Sequence, residues 1–259
     1  IHGGASGYNI FNAVIDQNGN LVANNTVSAG SGYSGAGDII VSDGNIHMAW
    51  QSNCCGQGQT WDTELKKFSG YSSSVTWNTE ICFSCNTSLG SGSAGLDVPY
   101  DLNLINSQFI VSGEKIANPN TSSPYLNSVS ASGSSNWNYT ETSYNGHYTK
   151  AISIGSSDIL VAGEKHSSPQ LLTASKFDSN GNKLWSVDIP SSVDVQPTDL
   201  IPYGNYGLLY GVSTSGIHVA VVDQSGNILV NNLYSTSQTP NPYGSNYSSQ
   251  VVETSSGNL

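Results

Sequence analysis

Positive charge is scarce in this sequence. Its 259 residues contain seven lysines and no arginine against 18 acidic residues, which gives a formal net charge of −11, and only 10% of the residues are charged. An acidic chain without a basic patch repels phosphate backbones and anionic lipids, which argues against nucleic-acid binding and disfavours attachment to an anionic membrane surface. No apolar run approaches the roughly 18 residues of a membrane-spanning helix, and we expect no membrane span in this chain.

Uncharged polar residues replace the missing charge. Serine, threonine, asparagine and tyrosine keep a surface hydrated without ionisation, which suits an acidic medium in which carboxylates become protonated. Five Asn-x-Ser/Thr glycosylation acceptors lie in polar, turn-rich surroundings, at Asn24, Asn86, Asn120, Asn138 and Asn246. Together these features predict an extracellular glycoprotein of the cell surface.

Cysteine is limited to Cys54, Cys55, Cys82 and Cys85. An even number of cysteines, together with glycosylation acceptors, predicts two disulfides, which join Cys54 to Cys82 and Cys55 to Cys85 or the reverse. A zinc site made of the four thiolates is the alternative, but the adjacent Cys54 and Cys55 form a poor chelating arm. A redox function for Cys82 and Cys85 lacks the strand-to-helix setting that activates a thiol. We therefore predict no metal and no cofactor.

Internal repetition is the strongest signal in the chain. The turn Asp-x-Asn/Ser-Gly-Asn occurs at 16–20, 178–182 and 223–227, each time between two strand-like runs, with weaker copies at 68–70 and 131–133. An apolar strand precedes each copy, and two of these strands contain Gly-Glu-Lys, at 113–115 and 163–165. The repeated unit is therefore a set of short β-strands joined by tight turns, and no helical period is visible.

The spacing of the units predicts a closed ring. The first strands begin at Asp38, Asp101, Lys150, Asp199 and Gln250, roughly 47 to 63 residues apart when the last interval runs through both termini. Such units form the four-stranded antiparallel blades of a β-propeller. We expect one all-β, five-bladed propeller domain over 1–259, with blades at about 38–80, 99–141, 149–189 and 197–236. Strands from both termini, 248–259 and 1–28, close the fifth blade.

One segment also resembles a known class of proteins. Residues 176–185, Lys-Phe-Asp-Ser-Asn-Gly-Asn-Lys-Leu-Trp, resemble the Lys-x-Asp-x-x-Gly-Asn-x-x-Trp repeat of secreted β-propeller repeat proteins. The resemblance extends loosely over all five units and implies the fold without a particular activity. The composition additionally resembles exported surface proteins of thermoacidophilic archaea. Trp77, Trp137 and Trp185 follow their turns at similar distances, which predicts aromatic packing between blades.

Loop lengths indicate which face of the propeller is the candidate binding surface. The turns between third and fourth strands are short, whereas the loops at 52–60, 81–98, 116–124, 142–149, 187–197 and 236–248 are long and fall on one face. Tyrosines there are suited to stacking on sugars or to protein contacts, or they simply cover the loops. The aromatic candidates on this face are Tyr33, Tyr125, Tyr144, His147, Tyr148, Tyr243 and Tyr247.

Three carboxylates occupy the starts of first strands, which line the central channel of a propeller. Asp38, Asp101 and Asp199 there are compatible with glycoside hydrolysis, with a hard cation such as calcium, or with acceptance of backbone N–H bonds. Lys150 and Gln250 take the other two positions, which weakens the hydrolase interpretation. The five histidines are scattered without a metalloprotease or serine-hydrolase motif, and no catalytic residue is assigned.

These observations predict a structural or adhesive module of the cell surface, such as a subunit of a filament or layer. Its partners would be other surface proteins, copies of itself or glycans. If the last strand pairs within its own molecule, the product is a ring; if it pairs with the next subunit, a filament can grow. The alternative is a carbohydrate-active enzyme that uses Asp38, Asp101 and Asp199.

Overall fold

The computed structural model describes residues 9–28, 36–52, 62–70, 72, 74–81, 96–118 and 121–235. Within them it contains eighteen β-strands and no helix, and so no helix long and apolar enough to cross a membrane. The chain forms two compact units, residues 1–140 and 141–259. The all-β class predicted from the sequence is confirmed.

The first unit holds one hairpin and two four-stranded antiparallel sheets in its described part. The hairpin pairs β1 (Asn9–Ile15) with β2 (Leu21–Ser28). The first sheet contains β3 (Ala36–Ser42), β4 (Asn45–Ser52), β5 (Asp62–Phe68) and β6 (Val75–Ile81). The second contains β7 (Leu96–Ile105), β8 (Gln108–Asn118), β9 (Thr121–Ser130) and β10 (Ser135–Thr140).

The second unit holds two further sheets of the same kind. One contains β11 (Gly146–Ile154), β12 (Asp158–Lys165), β13 (Leu171–Phe177) and β14 (Lys183–Ile189). The other contains β15 (Gln196–Tyr203), β16 (Tyr206–Ser213), β17 (Gly216–Asp223) and β18 (Ile228–Ser235). In all four sheets the spatial order of the strands follows the chain, which confirms the predicted four-stranded antiparallel unit.

The predicted number of five units is not established by this part of the chain. It contains four such sheets and the β1–β2 hairpin, while the expected first strand of the fifth unit, residues 250–253, lies outside the described residues. The number five therefore stays a prediction.

The second and third strands of each sheet carry the core. β12 and β13 each bury six consecutive residues, whereas the outermost strand β14 is mostly exposed. In the second unit, Leu160 of one sheet and Leu209 of the other belong to one apolar cluster and are fully buried. Burial of aliphatic side chains between sheets is thus the main stabilising contribution within this unit.

In the second unit the two turns between third and fourth strands share one hydrogen-bond pattern. At 178–182 the N–H of Asp178 donates to the carbonyl of Asn182 at 3.0 Å, and Gly181 adopts a φ of 83° that favours glycine. The Asp178 carboxylate accepts the backbone N–H groups of Asn180 and Asn182 and the Asn182 side-chain amide. These bonds, above all that from the Asn182 side chain, hold the pKa of Asp178 below its ordinary value.

The β1–β2 hairpin closes with the same turn. Asp16 bonds to Asn20, and Asp223 to Asn227, through the same backbone and side-chain hydrogen bonds that join Asp178 to Asn182. Ser130 keeps the backbone bond to Ser134, and its hydroxyl accepts the N–H of Ser134. A register shift also lies next to the turn in each of these hairpins. The β1–β2 hairpin is therefore built like the third and fourth strands of a complete sheet.

Tryptophans on fourth strands bind the turn of the neighbouring sheet. In the first unit the Trp77 indole N–H donates to the carbonyl of Ala131 at 3.2 Å, and in the second the Trp185 indole N–H donates to the carbonyl of Gln224 at 2.9 Å. The Trp185 ring covers Gly226, where an added Cβ would lie 3.1 Å from the ring. For Trp77 and Trp185 the predicted packing between sheets is thus observed within each unit.

Replacing Trp185 by phenylalanine should lower the free energy of unfolding by about 1–2 kcal/mol, because a six-membered ring is kept while the pyrrole ring and its hydrogen bond are lost. Trp185→Ala should cost about 3 kcal/mol through the lost packing. Denaturant unfolding measures both. Leu184→Ala is the control, because the neighbouring Leu184 side chain is 51% exposed; equal effects of L184A and W185A would contradict this account.

Candidate functional site

The predicted channel residues occupy one repeated position in the four sheets. Each first strand has a register shift against its second strand, and the residue that follows the shift is Asp38 in β3, Asp101 in β7, Lys150 in β11 and Asp199 in β15. Their second-strand partners are Ala49, Ser112, Ala162 and Tyr210. The positions selected from sequence repetition are therefore structurally equivalent.

These carboxylates are engaged by backbone groups. In the first unit Asp38 accepts the N–H of Ile39 at 2.7 Å and that of Leu102, on the adjacent sheet, at 3.3 Å. In the second unit Asp199 accepts the N–H of Leu200 at 2.9 Å, and its Oδ1 lies 3.8 Å from the Lys150 ammonium. This is the backbone-acceptor arrangement considered above for a repeated aspartate at a strand start.

A glycoside hydrolase needs two carboxylates that flank the scissile bond, one as acid and one as base or nucleophile. In the second unit the position equivalent to Asp199 on the neighbouring sheet is Lys150, so the two positions supply an ion pair and not a carboxylate pair. In the first unit both positions are aspartates, of which Asp101 is nearly fully buried.

Two of the predicted binding-face tyrosines lie in the core, and that prediction is wrong. Tyr125 and Tyr148 are fully buried, and burial raises the pKa of both well above the ordinary value. Each lies opposite a glycine, Gly113 or Gly163, where an added Cβ would lie 2.8 Å from the ring. The ring therefore covers the glycine. This also explains the glycine of the repeated Gly-Glu-Lys motif.

The Tyr125 hydroxyl joins the two sheets of the first unit. It lies 2.8 Å from the hydroxyl of Thr63 on β5, and Thr63 also donates to the carbonyl of Asp97 on β7 at 3.3 Å. A buried hydroxyl needs such a partner, because an unpaired one costs free energy. Tyr125 is thus a structural residue that connects three strands.

Several other predicted site residues lie outside the described part of the chain. They are Tyr33, Tyr243, Tyr247, Cys54, Cys55, Cys82, Cys85, Asn86, Asn120 and Asn246. Two glycosylation acceptors are described, Asn24 on β2 and Asn138 on β10, and both side chains are exposed. Each lies four residues after the last turn residue of its hairpin, so the two occupy the same position on outermost strands.

In the second unit, charged and aromatic side chains hold residues 141–144, which lie just before β11, in place. Buried Glu141 accepts the N–H groups of Thr142 and Ser143 at 3.0 Å and an ion pair from Lys183 at 2.6 Å. Tyr144 is partly buried, which raises its pKa, and the Lys165 ammonium lies 5.6 Å from its ring centre. Of the described tyrosine candidates Tyr144 is the one that is only partly buried, although its hydroxyl is buried.

Two histidines meet a buried carboxylate beside this loop. The Nε2 atoms of His147 and His166 lie 3.7 Å and 3.5 Å from the two carboxylate oxygens of Glu164, whose side chain is only 4% exposed. Desolvation, and to a smaller extent the neighbouring His166, lower the pKa of His147 to about 3. His147 is therefore a neutral imidazole. Two imidazoles and a carboxylate are ligand types that zinc accepts.

The sequence places His147 on the candidate binding face but does not reveal that Glu164 and His166 lie beside it. The signal was present, since the motif Gly-Glu-Lys is followed by His166 in one copy and by Ile116 in the other. The strand register that brings His147 opposite Glu164 is not encoded in a local motif.

An open groove lies between the loops of the second unit. It has a volume of about 380 Å³ and is lined by Ser168, Pro169, Ser192, Val193, Asp194 and Thr214. Asp194 accepts the N–H of Gln170 at 2.8 Å, and the N–H of Val195 donates to the carbonyl of Gln170, so the two main loops are bonded to each other. The groove is open to solvent, and four of its six lining residues carry polar side chains.

Known proteins match this chain in fold and not in sequence. No protein-family profile and no curated protein matches it. A protein of unknown function from Bacteroides caccae aligns with a TM-score of 0.54 and 12% identity over 89% of this chain and 71% of that one.

Trypanosoma rangeli sialidase also matches. A mutant that displays trans-sialidase activity aligns with a TM-score of 0.51 and 10% identity, over 87% of this chain and 42% of that one. The sialidase in complex with sialic acid gives 0.50 and 9%, over 89% and 42%. The chain has a propeller-like fold. It spans less than half of the sialidase chain, and at this identity the likeness concerns the fold alone.

Tyr125→Phe should lower the free energy of unfolding by about 1 kcal/mol, because it removes the hydroxyl that pairs with Thr63. Chemical denaturation of the purified protein gives the value. Tyr203→Phe is the matched control, since the Tyr203 side chain is 42% exposed, and it should change stability by less than about 0.5 kcal/mol. A Y125F protein as stable as the wild type would contradict the stabilising function assigned to this hydroxyl.

Proposed function

We propose that this protein is an extracellular, glycosylated module of the cell surface, with a structural or binding function and with copies of itself, other surface proteins or glycans as partners. The observation that carries the proposal is the shared position of Asn24 and Asn138, both exposed on outermost strands. Glycans at equivalent outer positions of two sheets would leave the loop side clear for contacts.

Three further features support this assignment. The protein has a formal net charge of −11 and few cations, which suits a soluble outer surface. The aspartates Asp38 and Asp199 are held by backbone N–H groups. The groove described above is open and lined mainly by polar side chains, which suits recognition of a polar partner such as a glycan. The proposal includes disulfides among Cys54, Cys55, Cys82 and Cys85, which are typical of secreted proteins.

The proposal also includes a fifth blade. The β1–β2 hairpin has the turn and the register shift of the third and fourth strands of the complete sheets. In this proposal residues 250–253 supply its first strand, either in the same molecule or in the next one. Pairing in the same molecule gives a ring, and pairing with the next copy gives a filament or layer.

Mass spectrometry of protein purified from its natural cells should find glycans on Asn24 and Asn138. Asn78 on β6 occupies the same position and is exposed, but it lacks Ser or Thr two residues later, so it should carry none. Glu80→Thr creates that acceptor and should add one glycan. Electron microscopy of the same material should show fivefold rings or fibres. Unmodified Asn24 and Asn138 would contradict the glycoprotein assignment.

The alternative function is that of a carbohydrate-active enzyme. It is favoured by the equivalent positions of Asp38, Asp101 and Asp199 and by the fold likeness to a sialidase solved with sialic acid. Sugar release from plant and microbial glycans and from sialosides tests it, and we expect none. Activity that is lost in Asp199→Asn but kept in Asp43→Asn, a change at an exposed turn, would replace our proposal by this one.

A further inference from the structure

The last strand of each described sheet, and of the β1–β2 hairpin, lies at an edge. The outward backbone groups of an edge strand can pair with another chain, and charged or bulky groups on the strand prevent such pairing. Four of these five strands have that protection. β2 and β10 carry the glycosylation acceptors Asn24 and Asn138, β6 carries Glu80, and β14 carries Lys183 and Asp188.

β18 is the exception among the five strands. Its sequence, Ile-Leu-Val-Asn-Asn-Leu-Tyr-Ser at 228–235, contains no charged residue, no proline and no glycosylation acceptor. The exposed fractions of Leu229, Val230, Leu233 and Tyr234 are 52%, 36%, 41% and 54%. An uncharged, exposed edge strand of high β propensity is the type of segment that pairs with a copy of itself.

One face of β18 remains accessible even when another sheet follows it. Alternate residues of a strand point to opposite faces, so Leu229 and Leu233 share one face and Val230 lies on the other. In β14, which is followed by the sheet of β15–β18, Trp185 takes the position of Val230 and is half-buried. Leu184, at the position of Leu229, is still 51% exposed. A fifth blade beside β18 would therefore leave Leu229 and Leu233 free.

The sequence of β18 is complementary to itself in an antiparallel pair. About a twofold axis through Asn231, Leu229 of one copy lies opposite Leu233 of the other, and Asn231 lies opposite its own counterpart. On the other face of the paired strands, Ile228 lies opposite Tyr234. Apolar residues thus meet apolar residues across the pair, which is the arrangement that stabilises neighbouring strands.

We propose that β18 is an interaction surface for a second copy of this protein, and that the two copies pair edge to edge as antiparallel strands about a twofold axis. The inference rests on the self-association proposed above and specifies its contact. Each copy has a formal net charge of −11, so two copies repel each other, and an uncharged strand is where they approach with the least repulsion. The contact joins two four-stranded sheets into one continuous sheet.

Sedimentation velocity of the purified full-length protein, measured up to about 100 µM, tests the pairing, and we expect a reversible equilibrium between monomer and dimer. Leu229→Lys combined with Leu233→Lys should raise the dissociation constant more than about 10-fold, because lysines then face lysines across the pair. Both side chains are exposed, so the variant should fold. It should associate more weakly although its net charge is less negative than that of the wild type.

Leu229→Lys combined with Leu233→Glu places opposite charges across the same pair, and it should associate at least about 10-fold more tightly than L229K/L233K. Leu184→Lys is the matched control, because Leu184 holds the equivalent position on β14 and is equally exposed. This variant should dimerise like the wild type. Circular dichroism and thermal unfolding establish that every variant is folded.

Three results would overturn the pairing: a wild-type protein that stays monomeric, a folded L229K/L233K variant that dimerises like the wild type, or an L229K/L233E variant that associates no more tightly than L229K/L233K. The second of these results would keep self-association and remove only β18 as its contact. Glycans on Asn24 and Asn138 test the glycoprotein assignment separately, so the failure of one proposal can be told from the failure of the other.

Discussion

The tight turn between third and fourth strands is the element on which the rest of the structure depends. It closes the hairpin through paired backbone hydrogen bonds, and its glycine leaves room for a tryptophan of the preceding sheet within the same unit. At Gly133 an added Cβ would lie 2.8 Å from the Trp77 ring, so a side chain at this position would displace the ring. One short motif therefore fixes both the edge of a sheet and its contact with the next.

This local character decides what the sequence could predict. An aspartate, a glycine and an asparagine at fixed offsets act through neighbouring backbone groups, so the turns at 16–20, 178–182 and 223–227 could be identified directly. The equivalent positions of Asp38, Asp101 and Asp199 followed from their spacing. In contrast, the burial of Tyr125 depends on its pairing with Gly113, and the meeting of His147 with Glu164 depends on strand register. A one-residue shift in register would reverse either result.

The scarce cations of the second unit all pair with carboxylates. Its four lysines each lie within 4 Å of a carboxylate, in the pairs Lys150–Asp199, Lys165–Asp188, Lys176–Asp158 and Lys183–Glu141. Three of the pairs join strands of one sheet or of adjacent sheets, and the fourth anchors the loop before β11. Positive charge thus serves mainly to hold carboxylates in place, which leaves the excess of negative charge for the surface.

Two sets of ionisable groups lower the stability of the fold in acid, in different pH ranges. The pKa values of Asp16, Asp178 and Asp223 are lowered by hydrogen bonds, so their contribution is present above the unfolded value of 3.8 and is lost only at lower pH. His47 packs on Phe109, and its burial lowers its pKa from 6.5 to about 4. Between these values the unfolded chain binds a proton that the folded chain does not, so stability falls as the pH falls. In a mildly acidic medium, the buried imidazole therefore weakens the fold before the turn carboxylates do.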